Sequence, residues 1–218
     1  MRKSIPKSYE YIEKLLSPES TLMQEARANS EQLGLQTISI SATEAALIRF
    51  HLEGIQAKKM VEIGTLTGLS ALHFLSSLPE DGFLWTLEKS PQHAELAKKV
   101  LAREIQKKRC EILLGDARET LKVLSEKAPF DAVFIDGNKA AYLDYFHWAI
   151  QNIRVGGLIL IDNVFLAGAV WGDLTQQKFS DKQISIVQRV NEMAFENSTL
   201  RSVLLPTEEG LLICQKQS

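Results

Sequence analysis

Five short apolar runs, at residues 59–63, 83–87, 111–114, 132–135 and 158–161, alternate with helical periodicity at about 69–78, 91–107, 118–126 and 140–153. This alternation constrains the fold more than any other feature of the chain. Runs of four to six apolar residues are of strand length, and helical segments between them carry the chain back to start the next strand parallel to the last. A further helix is expected at about 181–197. Two more runs follow, 201–205 and 211–215, joined by Pro206-Thr207-Glu208-Glu209-Gly210. A short turn-rich link containing glycine makes them a hairpin. The pattern predicts an α/β protein whose doubly wound sheet has seven strands, mainly parallel with a C-terminal antiparallel hairpin.

Ahead of this alternation lie two helical segments. Ser17-Pro18-Glu19 reads as an N-cap, a first-turn proline and an early acid, opening a helix that runs to about Leu33 and stops at Gly34. Ser41-Ala42-Thr43-Glu44 has capping-box spacing and opens a helix through Leu52 that ends near Gly54. With 218 residues the chain is long enough for a well-buried core. Residues 1–218 are read as a single domain in which 1–55 form an N-terminal helical cap. A net charge of -2 provides no basic field for nucleic acid, and Lys107-Lys108-Arg109 is read as a solvated helix end. Cys110 and Cys214 belong to no CxxC pair and are expected to be buried thiols in a reducing compartment. Residues 1–7 have no apolar core of the signal-peptide type. The greasy stretch 155–171 is broken by Asp162 and Asn163 and is too short to span a bilayer. A cytoplasmic protein without a membrane partner is expected.

The chemistry gathers at the strand ends. Glu62, Glu88, Asp116, Asp136 and Asp162 lie at or just past the ends of the five runs, where doubly wound sheets bind ligands. The loop Gly64-Thr65-Leu66-Thr67-Gly68 lets backbone approach a ligand and surrounds it with the hydroxyls of Thr65, Thr67 and Ser70. It is not the GxGxxG of a dinucleotide site. Glu62 before it would repel a pyrophosphate and attract an ammonium group, which favours a cofactor bearing an amino acid. Glu88 is placed to accept hydrogen bonds from ribose hydroxyls.

The segment 61–68, Glu88, Gly115-Asp116-Ala117, Phe134-Ile135-Asp136-Gly137-Asn138-Lys139 and Ile161-Asp162-Asn163 together resemble the cation-dependent O-methyltransferases. The resemblance is nearest to the caffeoyl-CoA and bacterial small-molecule branch, with catechol O-methyltransferase more distant, and runs from about Tyr9 to the C-terminus. It implies a Rossmann-like fold with S-adenosylmethionine bound near Ile40, Glu62, Gly64, Thr65, Ser70, Glu88 and Ala117. By the same resemblance Asp116 sits near the adenine, and Asp136 touches both cofactor and metal.

Asp136, Asp162 and Asn163 offer two carboxylates and an amide oxygen, the hard donors that Mg²⁺, Ca²⁺ or Mn²⁺ takes. Three protein ligands leave positions for an aromatic vicinal diol. His51, His73, His93 and His147 form no zinc-spaced pair. Lys139, three residues after Asp136, is the candidate general base. The loop 164–173 is expected to border the acceptor, with Phe165, Trp171 and Tyr142 able to flank its ring, and with simple packing or a contact with a second subunit an equal role for Trp171. Ala167-Gly168 stands where plant relatives carry Asn-Gly. The N-terminal helices are expected to cap the site or build a homodimer. Two other functions fit a sheet of this kind, a nicotinamide-dependent oxidoreductase and a non-catalytic cofactor-binding module. Missing GxGxxG and the acid at Glu62 count against the first, and the Asp136, Lys139, Asp162 and Asn163 set against the second.

Overall fold

A computed structural model describes residues 7–35, 38–173 and 178–218. Three helices come first: α1 (Lys7–Glu13), α2 (Thr21–Gln32) and α3 (Ala42–Gly54). The alternation follows as β1 (Lys59–Ile63), α4 (Leu69–Ser77), β2 (Phe83–Glu88), α5 (Pro91–Gln106), β3 (Cys110–Leu114), α6 (Ala117–Leu124), β4 (Phe130–Ile135), α7 (Tyr142–Asn152) and β5 (Ile153–Ile161). Helix α8 (Asp181–Glu196) and the hairpin β6 (Leu200–Leu205) and β7 (Leu211–Lys216) complete it. The strands form one seven-stranded sheet in the order β3-β2-β1-β4-β5-β7-β6. The first five pair in parallel, and β7 runs antiparallel between β5 and β6. The expected doubly wound sheet is therefore the one observed.

Period-two alternation along the parallel strands sends residues to opposite faces. Met60, Leu84, Ala132, Phe134, Leu158 and Leu160 pack beneath α2–α5, where Phe74 meets Phe134 edge-on at 5.0 Å. Val61, Ile63, Leu87, Val133, Ile135, Ile159 and Ile161 pack beneath α6–α8. The central strands are buried on both faces, which is why they read as near-continuous apolar runs.

Helix starts follow their caps. Ser41 and Glu44 form the expected reciprocal capping box on α3, and Ser90 caps α5 with Pro91 at its first position. Helix α2 differs: its N-cap is Ser20, whose hydroxyl accepts from the Met23 amide at 3.3 Å, not Ser17. The reason is that Glu19 does not sit in the first turn. Its carboxylate is claimed by Arg27 at 3.0 and 2.5 Å and by His73 at 3.2 Å. Strand β5 begins at Ile153, five residues before the apolar run starts. Arg154, Gly156 and Gly157 break the pattern there, and the register to β4 shifts between Phe130 and Ala132. A Cβ at Gly157 would lie 2.8 Å from the Asp131 carbonyl, so only glycine lets the two backbones pass.

Candidate active site

The order β2-β1-β4-β5 puts the switch in winding between β1 and β4. Backbone pairing continues one residue past the strands there. The Gly64 amide donates to Leu87 O at 2.9 Å, Asp136 to Ile63 O at 3.0 Å and Asp162 to Ile135 O at 3.0 Å. Neighbouring strands thus set Gly64, Asp136 and Asp162 in a row at one edge of the sheet. A cavity of about 420 Å³ opens over it.

Gly64 has φ +107°, and a Cβ on it would lie 2.5 Å from the Asp136 carbonyl oxygen. The loop 64–68 can therefore lie against β4 only with glycine here. Gly68, at φ +89°, turns the chain into α4. Glu88 is 8% exposed and lines the cavity. Its oxygens already accept from the Leu66 amide at 2.8 Å and the Ser90 amide at 2.7 Å, and His93 Nδ1 stands 3.6 Å away. A carboxylate has about four acceptor sites, so capacity remains for a ligand's hydroxyls.

Glu62 is fully buried behind this wall. One oxygen accepts from the Thr86 hydroxyl at 2.5 Å, and Thr86 in turn meets Thr65 Oγ1 at 2.5 Å. The other, Oε1, has no hydrogen-bond partner of good geometry, although the nearby Ser70 hydroxyl favours its charged form. Burial pushes the carboxyl up to about 8, and the hydroxyls of Ser70 and Thr86 only partly oppose it. A buried acid with an orphaned oxygen is costly unless a donor reaches it. An ammonium group in the adjacent cavity would supply that donor.

Asp116 lines the far end, yet its carboxylate also caps α6 and grips Arg118 at 3.1 and 2.9 Å. The Arg118 guanidinium holds it well below the usual carboxylate range. Ala117, the first residue of α6, and Ile40, which precedes the α3 cap, also line the cavity.

The second constellation centres on Lys139. Its Nζ donates to Asp136 Oδ1 at 2.8 Å, Asn163 Oδ1 at 2.6 Å and the Tyr142 hydroxyl at 2.6 Å. It also lies over the Tyr142 ring, 4.7 Å from the centroid. Tyr142 is wholly buried and donates onward to Asp162 O at 3.0 Å. Asp162 lies behind the lining, 4% exposed, and accepts from the Asn163 amide at 2.7 Å. Burial drives its carboxyl well above the usual range, reinforced by the charges of Asp136 and Glu44 and opposed by Lys139. Among the described residues no three His, Cys, Asp or Glu side chains cluster for a metal. The candidate set has two carboxylates and an amide. It nonetheless fits a hard cation, since Asp136 and Asn163 already converge on one positive centre, the Lys139 amine, with Asp162 buried beside them.

Residues 13–217 match the family model described as O-methyltransferase. The chain belongs to that family. It is 32% identical over 197 residues to a catechol O-methyltransferase of Niastella koreensis, covering 89% of this chain and 87% of the relative. A catechol O-methyltransferase of Mycobacterium tuberculosis is 34% identical over 160 residues, 73% and 72% of the two chains. The structure superposes on the O-methyltransferase TomG from Streptomyces achromogenes, solved in complex with SAM, with a TM-score of 0.88, 30% identity and coverage of 97% and 96%. The protein is an S-adenosylmethionine-dependent O-methyltransferase, and neither an oxidoreductase nor a bare binding module.

The fold of this methyltransferase gathers Ile40, Gly64, Thr65, Ser70, Glu88, Asp116, Ala117, Asp136, Lys139 and Asn163 around one cavity, with Glu62 and Asp162 in the layer behind. Tyr142 does not flank an acceptor ring as expected. It is buried at the start of α7, because its hydroxyl is held between Lys139 and Asp162. Phe165 and Trp171 stack edge-on at 5.1 Å and do not line the cavity. Tyr145 and Phe179 supply aromatic lining instead. Tyr145 follows Lys139 by six residues on α7, a spacing that could have suggested it.

Proposed function

We propose that this O-methyltransferase moves the methyl group of S-adenosylmethionine to one hydroxyl of an aromatic vicinal diol, assisted by a divalent cation held by Asp136, Asp162 and Asn163. The convergence of Asp136 Oδ1 and Asn163 Oδ1 within 2.8 Å of Lys139 Nζ carries the reading. Two relatives named catechol O-methyltransferase support the acceptor class. When bound, the cation would polarise adjacent hydroxyls and ease their ionisation. The chain's own part is positioning and proton handling. Tyr142 and Asn163 fix the Lys139 side chain at the mouth of the cavity. Nζ is placed to take the proton of the hydroxyl to be methylated. Glu62, Gly64 and Glu88 hold the amino-acid and ribose ends of the cofactor so that the methyl group faces that oxygen, and alignment supplies much of the rate. The buried wall around Tyr142 and Tyr145 keeps water from the reacting atoms.

The test compares catechol-type and mono-phenol acceptors, with and without EDTA. Methylation of the diol alone, abolished by EDTA and restored by Mg²⁺, is expected. Asp162→Ala should lose activity yet keep its affinity for S-adenosylhomocysteine. Equal rates on both acceptors would remove the diol, and full activity in EDTA would remove the cation.

A further inference from the structure

Helix α2 lies outside the sheet and outside the cavity, yet it is hydrogen-bonded to the loop that carries the cofactor. The Thr67 hydroxyl, wholly buried, donates to the Ala26 carbonyl at 2.8 Å and lies 2.7 Å from Ser30 Oγ. Ser30 Oγ also reaches the Ala26 carbonyl at 3.4 Å, so either hydroxyl can donate to the other. Both α2 residues are fully buried, in a seam otherwise built from apolar side chains such as Met23 and Leu69. One turn away, Arg27 reaches the Ile40 carbonyl at 3.5 Å while it grips Glu19. Glu19 in turn accepts from His73 of α4, the helix that the cofactor loop opens. Thr67 and Ile40 both line the cavity. One cap helix thus holds both.

We propose that α2 is a positioning element for the cofactor, with Ser30 and Arg27 as positioning residues that act through Thr67 and Ile40, so that cofactor binding and docking of the N-terminal cap stabilise one another. Neither residue touches the cavity, and the cap helix need not contribute any group to the chemistry. Buried hydroxyl pairs are directional, and they fix a loop in one place where apolar packing would allow it to slide. Any ligand that requires the loop in that place must favour the docked helix, and the docked helix must favour the ligand by the same factor. The inference rests on the cofactor lying in the cavity over Gly64 and Gly68.

The experiment uses the full chain with S-adenosylhomocysteine, by calorimetry and by amide hydrogen exchange. In the unsubstituted protein the ligand should slow exchange at 66–70, which tests where the cofactor binds, and separately at 21–32, which tests the coupling. Ser30→Ala should weaken ligand binding roughly 3- to 10-fold, the scale of one net hydrogen bond. It should also raise KM for S-adenosylmethionine while leaving kcat at saturation within about twofold, as loss of uniform binding does. Protection at 66–70 should persist and ligand-induced protection at 21–32 should fall. Val187→Ala in α8, across the sheet, serves as a variant that lowers stability without touching the seam. It should leave the affinity unchanged. Normal affinity in Ser30→Ala, or equal losses in Val187→Ala, would overturn the proposal. So would protection at 66–70 without protection at 21–32 in the unsubstituted protein, a result that remains readable should Ser30→Ala fail to fold. No protection at 66–70 would instead reject the cofactor location.

Discussion

Glu62→Gln should make the ligand-free protein more stable and a poorer binder of its cofactor. The Glu62 carboxyl is held near 8 by burial, against an ordinary value of 4.5. Between those values the unfolded chain has lost the proton that the folded chain still keeps, so stability falls as pH rises through this window. At pH 7 the accumulated loss is about 3 kcal/mol, from a shift of some 3.5 units at about 1.4 kcal/mol each, not yet complete. Glutamine is neutral throughout and can still accept from the Thr86 hydroxyl, so the variant should escape most of this cost. Urea unfolding of both proteins at pH 4.5, 7 and 8.5, without ligand, reads the effect directly. The two should be similarly stable at pH 4.5, and the gap should widen with pH. Calorimetry supplies the second half. If the cofactor's ammonium pairs with Glu62, binding at pH 7 should release a fraction of a proton, seen in buffers of different ionisation enthalpy, and Glu62→Gln should abolish that release. Parallel stability curves across the pH range would refute the burial argument. Buffer-independent enthalpies would refute the pairing.

Other outcomes follow from the same geometry. Glu88→Ala should weaken S-adenosylhomocysteine binding by about 1.5–3 kcal/mol, the range for hydrogen bonds to a charged group, with calorimetry as the measure. Lys139→Ala should cut turnover by roughly 10²–10⁴-fold, the scale of general acid–base catalysis, while cofactor affinity stays normal. A variant with normal turnover at neutral pH would make this lysine a bystander. Gly64→Ala, whose Cβ would lie 2.5 Å from the Asp136 carbonyl, should cost about 2–4 kcal/mol of stability in urea unfolding and displace Asp136 from the cofactor loop.

Local rules in the sequence determined a great deal. Period-two and period-3.6 patterns located every strand of the sheet and nearly every helix, because side-chain direction along one element depends only on that element's backbone. The strand ends then placed Glu62, Glu88, Asp116, Asp136 and Asp162 along one edge, and capping chemistry set the starts of α3 and α5. Where a pattern was broken by Arg154, Gly156 and Gly157, the beginning of β5 was invisible, since its identity as strand comes from pairing with β4 and not from its own side chains. The cap of α2 moved to Ser20 for a similar reason: Glu19 is drawn to His73, 54 residues away.

Tertiary packing alone decided the depth of each group. Sequence spacing could bring Lys139 back to Asp136, but only the β4–β5 pairing brings Asn163 to the same amine. An aromatic residue three positions after a lysine is equally able to face solvent, a ligand or the core. Tyr142 is in the core because its hydroxyl donates to the Asp162 carbonyl, just past the end of β5. Likewise nothing in the spacing of Ser30 and Thr67, 37 residues apart, announces a contact. Burial is a property of all the elements at once, and burial is what pushes the carboxyls of Glu62 and Asp162, two acids at strand ends, above their usual range.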